Sequence, residues 1–195
     1  MEPLILYSIL GALMAYPIYL VFRGRNLGIA DPTLGFLNLG GDAFASLVDE
    51  DRSVLSPLFA KTECGTGLQI PKCDVLFVYA DVASDGSVGL GKEVTIRHVA
   101  ESAGAAIAIL ASNNSAEHGV AASKTPGPKR TNLVWTFDRK GEAFAQFFKA
   151  LFTQMKDGKS MPAAWVAISP QYKSKVHLDL PETVCQMEAG QVRFH

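Results

Sequence analysis

Four apolar runs constrain this fold more than any other feature: Asp74–Ala80 (DVLFVYA), Ala105–Ala111 (AAIAILA), Asn132–Phe137 (NLVWTF) and Ala163–Ile168 (AAWVAI). Each has the length of a strand. Their hydrophobicity is continuous rather than alternating, which predicts strands buried on both faces. Helical patterns lie between them. Ile96, Val99, Ala100 and Ala103 recur at i, i+3, i+4 and i+7, predicting a helix over Lys92–Ala103 that Gly104 stops. Phe144, Phe147, Phe148, Leu151, Phe152 and Met155 form one wide apolar stripe, with Asp138 as a start signal and Gly158 as an end. Strands alternating with helices predict an α/β fold, Rossmann-like, with a mostly parallel sheet and helices on both faces. The tail reads differently. Lys175–Leu180 alternates in polarity, and Ala189-Gly190 is a turn signal within Thr183–His195, so a small antiparallel C-terminal extension is expected.

The run Pro3–Phe22 contains no charged residue. About 20 apolar residues cross a bilayer as a helix, so this run predicts a membrane span. Tyr7, Tyr16 and Tyr19 lie toward its ends, and Arg23 and Arg25 follow it. The positive-inside rule then places the C-terminal domain in the cytoplasm of a single-pass protein in the cell membrane. Ser8 with Ala12, and Gly11 with Ala15, put small residues on one helix face, which predicts a homo-oligomer. The alternative is a core helix or strand pair opening the globular domain. The organisation expected is a transmembrane helix over 1–25, a connector over 26–72 and a Rossmann-like domain over 73–195. The connector is rich in Gly and Pro, with a short helix near Asp42–Val48 that ends at a solvated acidic cluster, Asp49, Glu50 and Asp51.

Composition removes several functional classes. Hydrophobic residues make up 48% of the chain, which excludes disorder over most of it. Lys and Arg number 18 against 19 Asp and Glu, without a basic run, which argues against direct binding of duplex nucleic acid. Three cysteines, Cys64, Cys73 and Cys185, do not form a disulfide framework. No metal or other cofactor is expected. The cysteines lack paired spacing, and His98, His118, His177 and His195 are scattered. Neither a Walker A sequence nor a G-x-G-x-x-G fingerprint is present.

Ligands of open α/β sheets bind at the carboxyl ends of the strands. Candidate ligand-binding residues therefore follow the apolar runs: Asp81 and Ser84 after the first, and Ser112, Asn113, Asn114 and Ser115 after the second. Asp138, Arg139 and Lys140 follow the third, where cations beside a helix start suit a small anionic ligand, with a nucleotide as candidate. The bland alternatives are solvated charges and a helix cap. A Ser–His–Asp site could be assembled from Ser112, His118 or His177, and Asp81 or Asp138, but no G-x-S-x-G elbow accompanies it.

In layout, Asp74–Gln171 resembles the caspase-like CHAT domains. The Asp74-Val-Leu-Phe strand resembles the one preceding their catalytic histidine, and Ala105–Asn114 the one preceding their cysteine. Trp135-Thr-Phe-Asp138, the Phe-rich helix, Gly158-Lys-Ser160 and Pro170-Gln171 are similar to their closing segment. Asp81 stands at the histidine position, and Asn113 or Asn114 at that of the cysteine. The resemblance therefore implies a pseudoenzyme, because no thiolate is available. A membrane helix before a Rossmann-like domain also resembles the membrane effectors of prokaryotic antiviral systems, some with a CRISPR-associated Rossmann-fold (CARF) sensor. The leading expectation is a membrane sensor or effector that binds a small anionic ligand, with a cyclic nucleotide messenger as candidate. A caspase-like scaffold without catalytic activity, binding a protein partner, is the alternative. A soluble hydrolase with a buried N-terminal helix, dependent on Ser112 or His118, is a third.

Overall fold

Val75–Tyr79 is β4, and all five residues are buried because alternate side chains enter two separate cores. Val75, Phe77 and Tyr79 join one cluster, while Leu76 and Val78 join the other. A run packed on both faces has no polar side to expose, which explains its continuous hydrophobicity. In the computed structural model, which describes residues 26–90, 94–115, 127, 129–137, 139, 141–172 and 183–195, β5 (Ile107–Ala111) and β6 (Asn132–Thr136) are buried in the same way. β2 (Thr33–Asn38), β3 (Lys61–Thr66) and β7 (Thr183–Met187) complete a six-stranded sheet of order β3-β2-β4-β5-β6-β7. The first five strands run parallel, and β7 runs antiparallel to β6.

Among the described residues, four α-helices cover the sheet. Helix α1 (Asp42–Leu55) crosses from β2 to β3, and α3 (Ala143–Lys156) and α4 (Met161–Tyr172) follow β6. On this face Phe77 meets Phe148 at 5.3 Å and Phe144 at 6.1 Å, both edge to face. Edge-to-face geometry is the arrangement that aromatic quadrupoles favour. Helix α2 (Ile96–Ala103) lies on the other face, where Ile96, Val99 and Ala100 pack with Leu76, Leu110 and Trp135. Thr95 and His98 form a reciprocal capping box at its start, and Gly104 ends it in a left-handed conformation, φ 78°.

Several expectations are corrected. The strand order, counted from β2, is 2-1-3-4-5-6 rather than the 3-2-1-4-5-6 of a Rossmann sheet, so the fold is a mixed α/β one with a mostly parallel sheet. Residues 26–72 are not an irregular connector, for they supply β1 (Asn26–Ile29), β2, α1 and β3. Gly35 hid β2 by interrupting its apolar run. A Cβ there would strike Cys73 Sγ, because the chain returning toward β4 lies against β2. The run Ala163–Ile168 is part of α4, not a strand, since a short apolar run suits either element. The C-terminal extension is not an antiparallel pair. After β7 the chain leaves the main sheet, and β8 (Gln191–Phe194) runs parallel to β1 in a separate two-stranded sheet. Buried Asn132 holds that exit. Its Oδ1 accepts the Ala189 N–H at 2.8 Å, and its Nδ2 donates to the Gly190 carbonyl at 2.9 Å.

The single-pass membrane reading is also corrected. Among the described residues, no helix is long and apolar enough to cross a membrane. The run Pro3–Phe22 lies outside the described residues, as does Lys175–Leu180.

Candidate functional site

Strand order reverses between β2 and β4, and parallel α/β sheets form their crevice at such a switch point. The loop leaving β2 closes over the end of β4, where Leu39 and Gly40 both donate backbone N–H groups to the Tyr79 carbonyl, at 2.9 and 3.1 Å. The next two strand ends, those of β4 and β5, are joined by side chains. Asp81 Oδ1 accepts the Asn113 N–H at 2.9 Å. Asn114 Oδ1 accepts the Val82 N–H at 2.6 Å and the Ser112 hydroxyl at 2.6 Å. Ser112 Oγ in turn accepts the Asn114 N–H at 2.9 Å.

These distances decide the chemistry of Ser112. A hydroxyl has one proton to donate. At 2.6 Å the Asn114 amide oxygen takes it, while Asp81 Oδ1 stands 3.5 Å away. Ser112 is fully buried, so neither water nor substrate reaches Oγ in this arrangement. A serine nucleophile needs a base within about 2.6–3.2 Å, and no imidazole contacts Ser112 among the described residues. His98 is engaged with Thr95 at the start of α2. His118 and His177 lie outside the described residues. Each thiol is elsewhere: Cys64 on β3, Cys73 just before β4, and Cys185 on β7. Burial pushes the Cys73 and Cys185 thiols up to about 12, which keeps them protonated and inert.

Ser84 is exposed in the turn Ala83–Gly86, which is closed by the Gly86 N–H donating to the Ala83 carbonyl at 2.9 Å. In the next position Asp85 is exposed, and its carboxyl is held below the usual range by the Ser87 N–H. Ser115 is exposed. Asp138 and Lys140 lie outside the described residues. Arg139 does not face solvent. Its guanidinium enters the core, where Nη2 donates to Asp51 Oδ1 at 2.7 Å and Nη1 to the Gly141 carbonyl at 2.6 Å. It also lies 4.3 Å from the centre of the Phe144 ring. The structure thus brings Asp81, Ser112, Asn113 and Asn114 together and sets Arg139 on a different cluster.

That second cluster contains two residues the sequence reading did not select. Tyr79, the last residue of β4, donates its hydroxyl to Asp51 Oδ2 at 2.7 Å. Asp51, Tyr79 and the Arg139 side chain are all at zero exposure. Burial pushes the Asp51 carboxyl up, against the lowering effect of Arg139. Burial and the Asp51 charge together push the Tyr79 hydroxyl well above 10.0. Asp51 was expected in solvent with Asp49 and Glu50. The signal that places it inside is the stripe Phe44, Leu47, Val48, Asp51 and Leu55, on whose spacing Asp51 falls. Among the described residues, no three His, Cys, Asp or Glu side chains come together as metal ligands.

No protein-family model and no curated protein matches the chain. Among solved structures it is similar to drICE, a caspase, at 13% identity and a TM-score of 0.45. That match covers 88% of this chain and 92% of the other. The likeness is a weak one of caspase-like fold, and neither the CARF-like alternative nor a membrane helix has support from it.

Proposed function

We propose that this protein is a non-catalytic scaffold of caspase-like layout that engages a protein partner. One observation carries the proposal. The two strand ends where the CHAT resemblance expects histidine and cysteine are adjacent and in contact, yet they are occupied by Asp81 and by Ser112, Asn113 and Asn114. Their polar groups satisfy one another. Asn114 consumes the Ser112 proton, and the Asn113 N–H, which could otherwise polarise a substrate carbonyl, is spent on Asp81. Such a network holds two loops in fixed register and leaves no activated nucleophile. The placement of Arg139 weighs against an anion-binding site at the same crevice, because its charge is already neutralised by Asp51.

The test is a paired measurement on the full chain. Affinity purification from its native host should recover one partner at fixed stoichiometry, equally well with Ser112→Ala. A thermal-shift panel of mononucleotides, cyclic dinucleotides and cyclic oligoadenylates should leave the melting transition in place. A ligand at 100 times its Kd adds about 2.7 kcal/mol, so binding would be visible. A shift confined to one nucleotide class would sink the scaffold proposal and favour a ligand sensor. Hydrolytic turnover abolished by Ser112→Ala would sink it in favour of an enzyme.

A further inference from the structure

We propose that the groove between α3 and α4 docks an acidic peptide segment of a protein partner; this rests on the scaffold reading and names the chemistry of what it binds. The groove encloses about 490 Å³ and runs between two helices joined by a short turn. Ala150 on α3 and Ala167 on α4 line it, and their single methyl groups keep it open where longer side chains would close it. Ile168 contributes a buried apolar floor. Two charged residues line the groove among the described residues, Lys149 and Lys159, and both are cations. Both are exposed, so both charges are available to a partner. Lys159 Nζ donates to Gln154 Oε1, which holds its charge beside the groove.

The flanking helix strengthens the argument. Surface helices ordinarily carry charge on their outer face. Helix α4, MPAAWVAISPQY, carries none, and Val166 on it is 72% exposed. One wall of the groove is therefore neutral and the other positive, and among the described residues that line it there is no carboxylate to oppose an incoming acid. An amphipathic acidic segment matches both features. Its apolar side chains would enter beside Ala150 and Ala167, and its carboxylates would face Lys149 and Lys159. Grooves between helices receive peptides in this way, with the charged rim setting encounter rate and specificity.

The probe is a fluorescein-labelled peptide of about three helical turns, with Leu at helical spacing and Glu between. Fluorescence anisotropy with the full chain should show binding that weakens as salt rises. The same peptide with Gln for every Glu should bind at least about tenfold more weakly. Lys149→Glu/Lys159→Glu should cost a similar factor, as should Ala167→Trp, which plugs the groove. These positions are exposed, and an unchanged thermal transition confirms that each variant folds. Equal binding of the Glu and Gln peptides would overturn the proposal, as would full affinity in the charge-reversed variant. Displacement of the peptide by inorganic phosphate alone would also overturn it and make this a small-anion site. A copurified partner that binds the charge-reversed variant undiminished would remove this site while sparing the scaffold reading. Absence of any stoichiometric partner would remove the scaffold reading itself.

Discussion

Asp51 and Arg139 show how one buried charge commits its neighbours. Removing charges from water costs several kcal/mol per ion, and the pair stands only because each partner is hydrogen-bonded. Breaking it from one side should therefore be severe. Arg139→Met leaves Asp51 buried beside Tyr79 without its counter-charge, and should lose about 3–5 kcal/mol in urea unfolding at neutral pH. Conversion to the double variant Asp51→Leu/Arg139→Met should recover much of that loss, because no lone charge remains. Tyr79 gives the same cluster a pH signature. Its folded hydroxyl ionises well above 10.0, whereas the unfolded chain ionises near 10.0. The unfolded state releases its proton first, so the contribution of this hydroxyl is fully present below pH 10.0 and is lost as pH rises toward the folded value. The stability gap between the wild type and Tyr79→Phe should hold steady from neutrality to pH 10.0 and shrink above it. A gap independent of pH across that range would show that Tyr79 ionises alike in both states.

At the level of elements, legibility followed burial. β4, β5 and β6 lie where the apolar runs place them, because strands buried on both faces advertise themselves in hydrophobicity alone. The Phe stripe of α3 was legible for the same reason. β2 and β3 were not. β2 is broken by Gly35, and β3, KTECGT, is an edge strand with polar residues and an exposed flank. Both glycines in this pair answer to a chain segment that arrives later in sequence. A Cβ at Gly65 would fall on the Gln69 carbonyl oxygen, and one at Gly35 on Cys73 Sγ. Gly65→Ala should thus destabilise the protein by about 1–3 kcal/mol, since backbone rather than a flexible side chain must give way. Gly67→Ala reports a different cost, that of left-handed backbone, because its φ of 55° is unfavourable for alanine while open space surrounds it, whereas Gly65 has no positive φ. An unchanged urea midpoint for Gly65→Ala would mean that the Gln69 carbonyl gives way at no cost.

For the whole molecule, the ends of the described chain close the structure on each other. β8 pairs with β1 across nearly the full described length, and Val192 and Phe194 enter the core beside Phe59 and Phe152. Deleting Gln191–His195 removes two buried side chains and the only strand partner of β1 among the described residues. The loss should be about 3–6 kcal/mol from side-chain burial alone, seen as a lower midpoint and a shallower urea transition. An unchanged midpoint would mean that the small sheet folds independently of the large one. By itself, the sequence determined the interior of the sheet and the helix that covers it, because apolar periodicity is a local record of which faces must leave water. It also brought Asp81, Ser112, Asn113 and Asn114 forward as strand-end residues. Tertiary structure alone decided that these four satisfy one another, that Arg139 turns inward to Asp51, and that β8 leaves its neighbour β7 to pair with β1. Those outcomes depend on which donor meets which acceptor across 32 or 88 positions of chain, as for Asn113 with Asp81 and Arg139 with Asp51, and on strands that meet across 165, as for Gln191 with Asn26. No local pattern of polarity encodes such a meeting, since a buried polar group is settled only by the partner that the fold delivers to it.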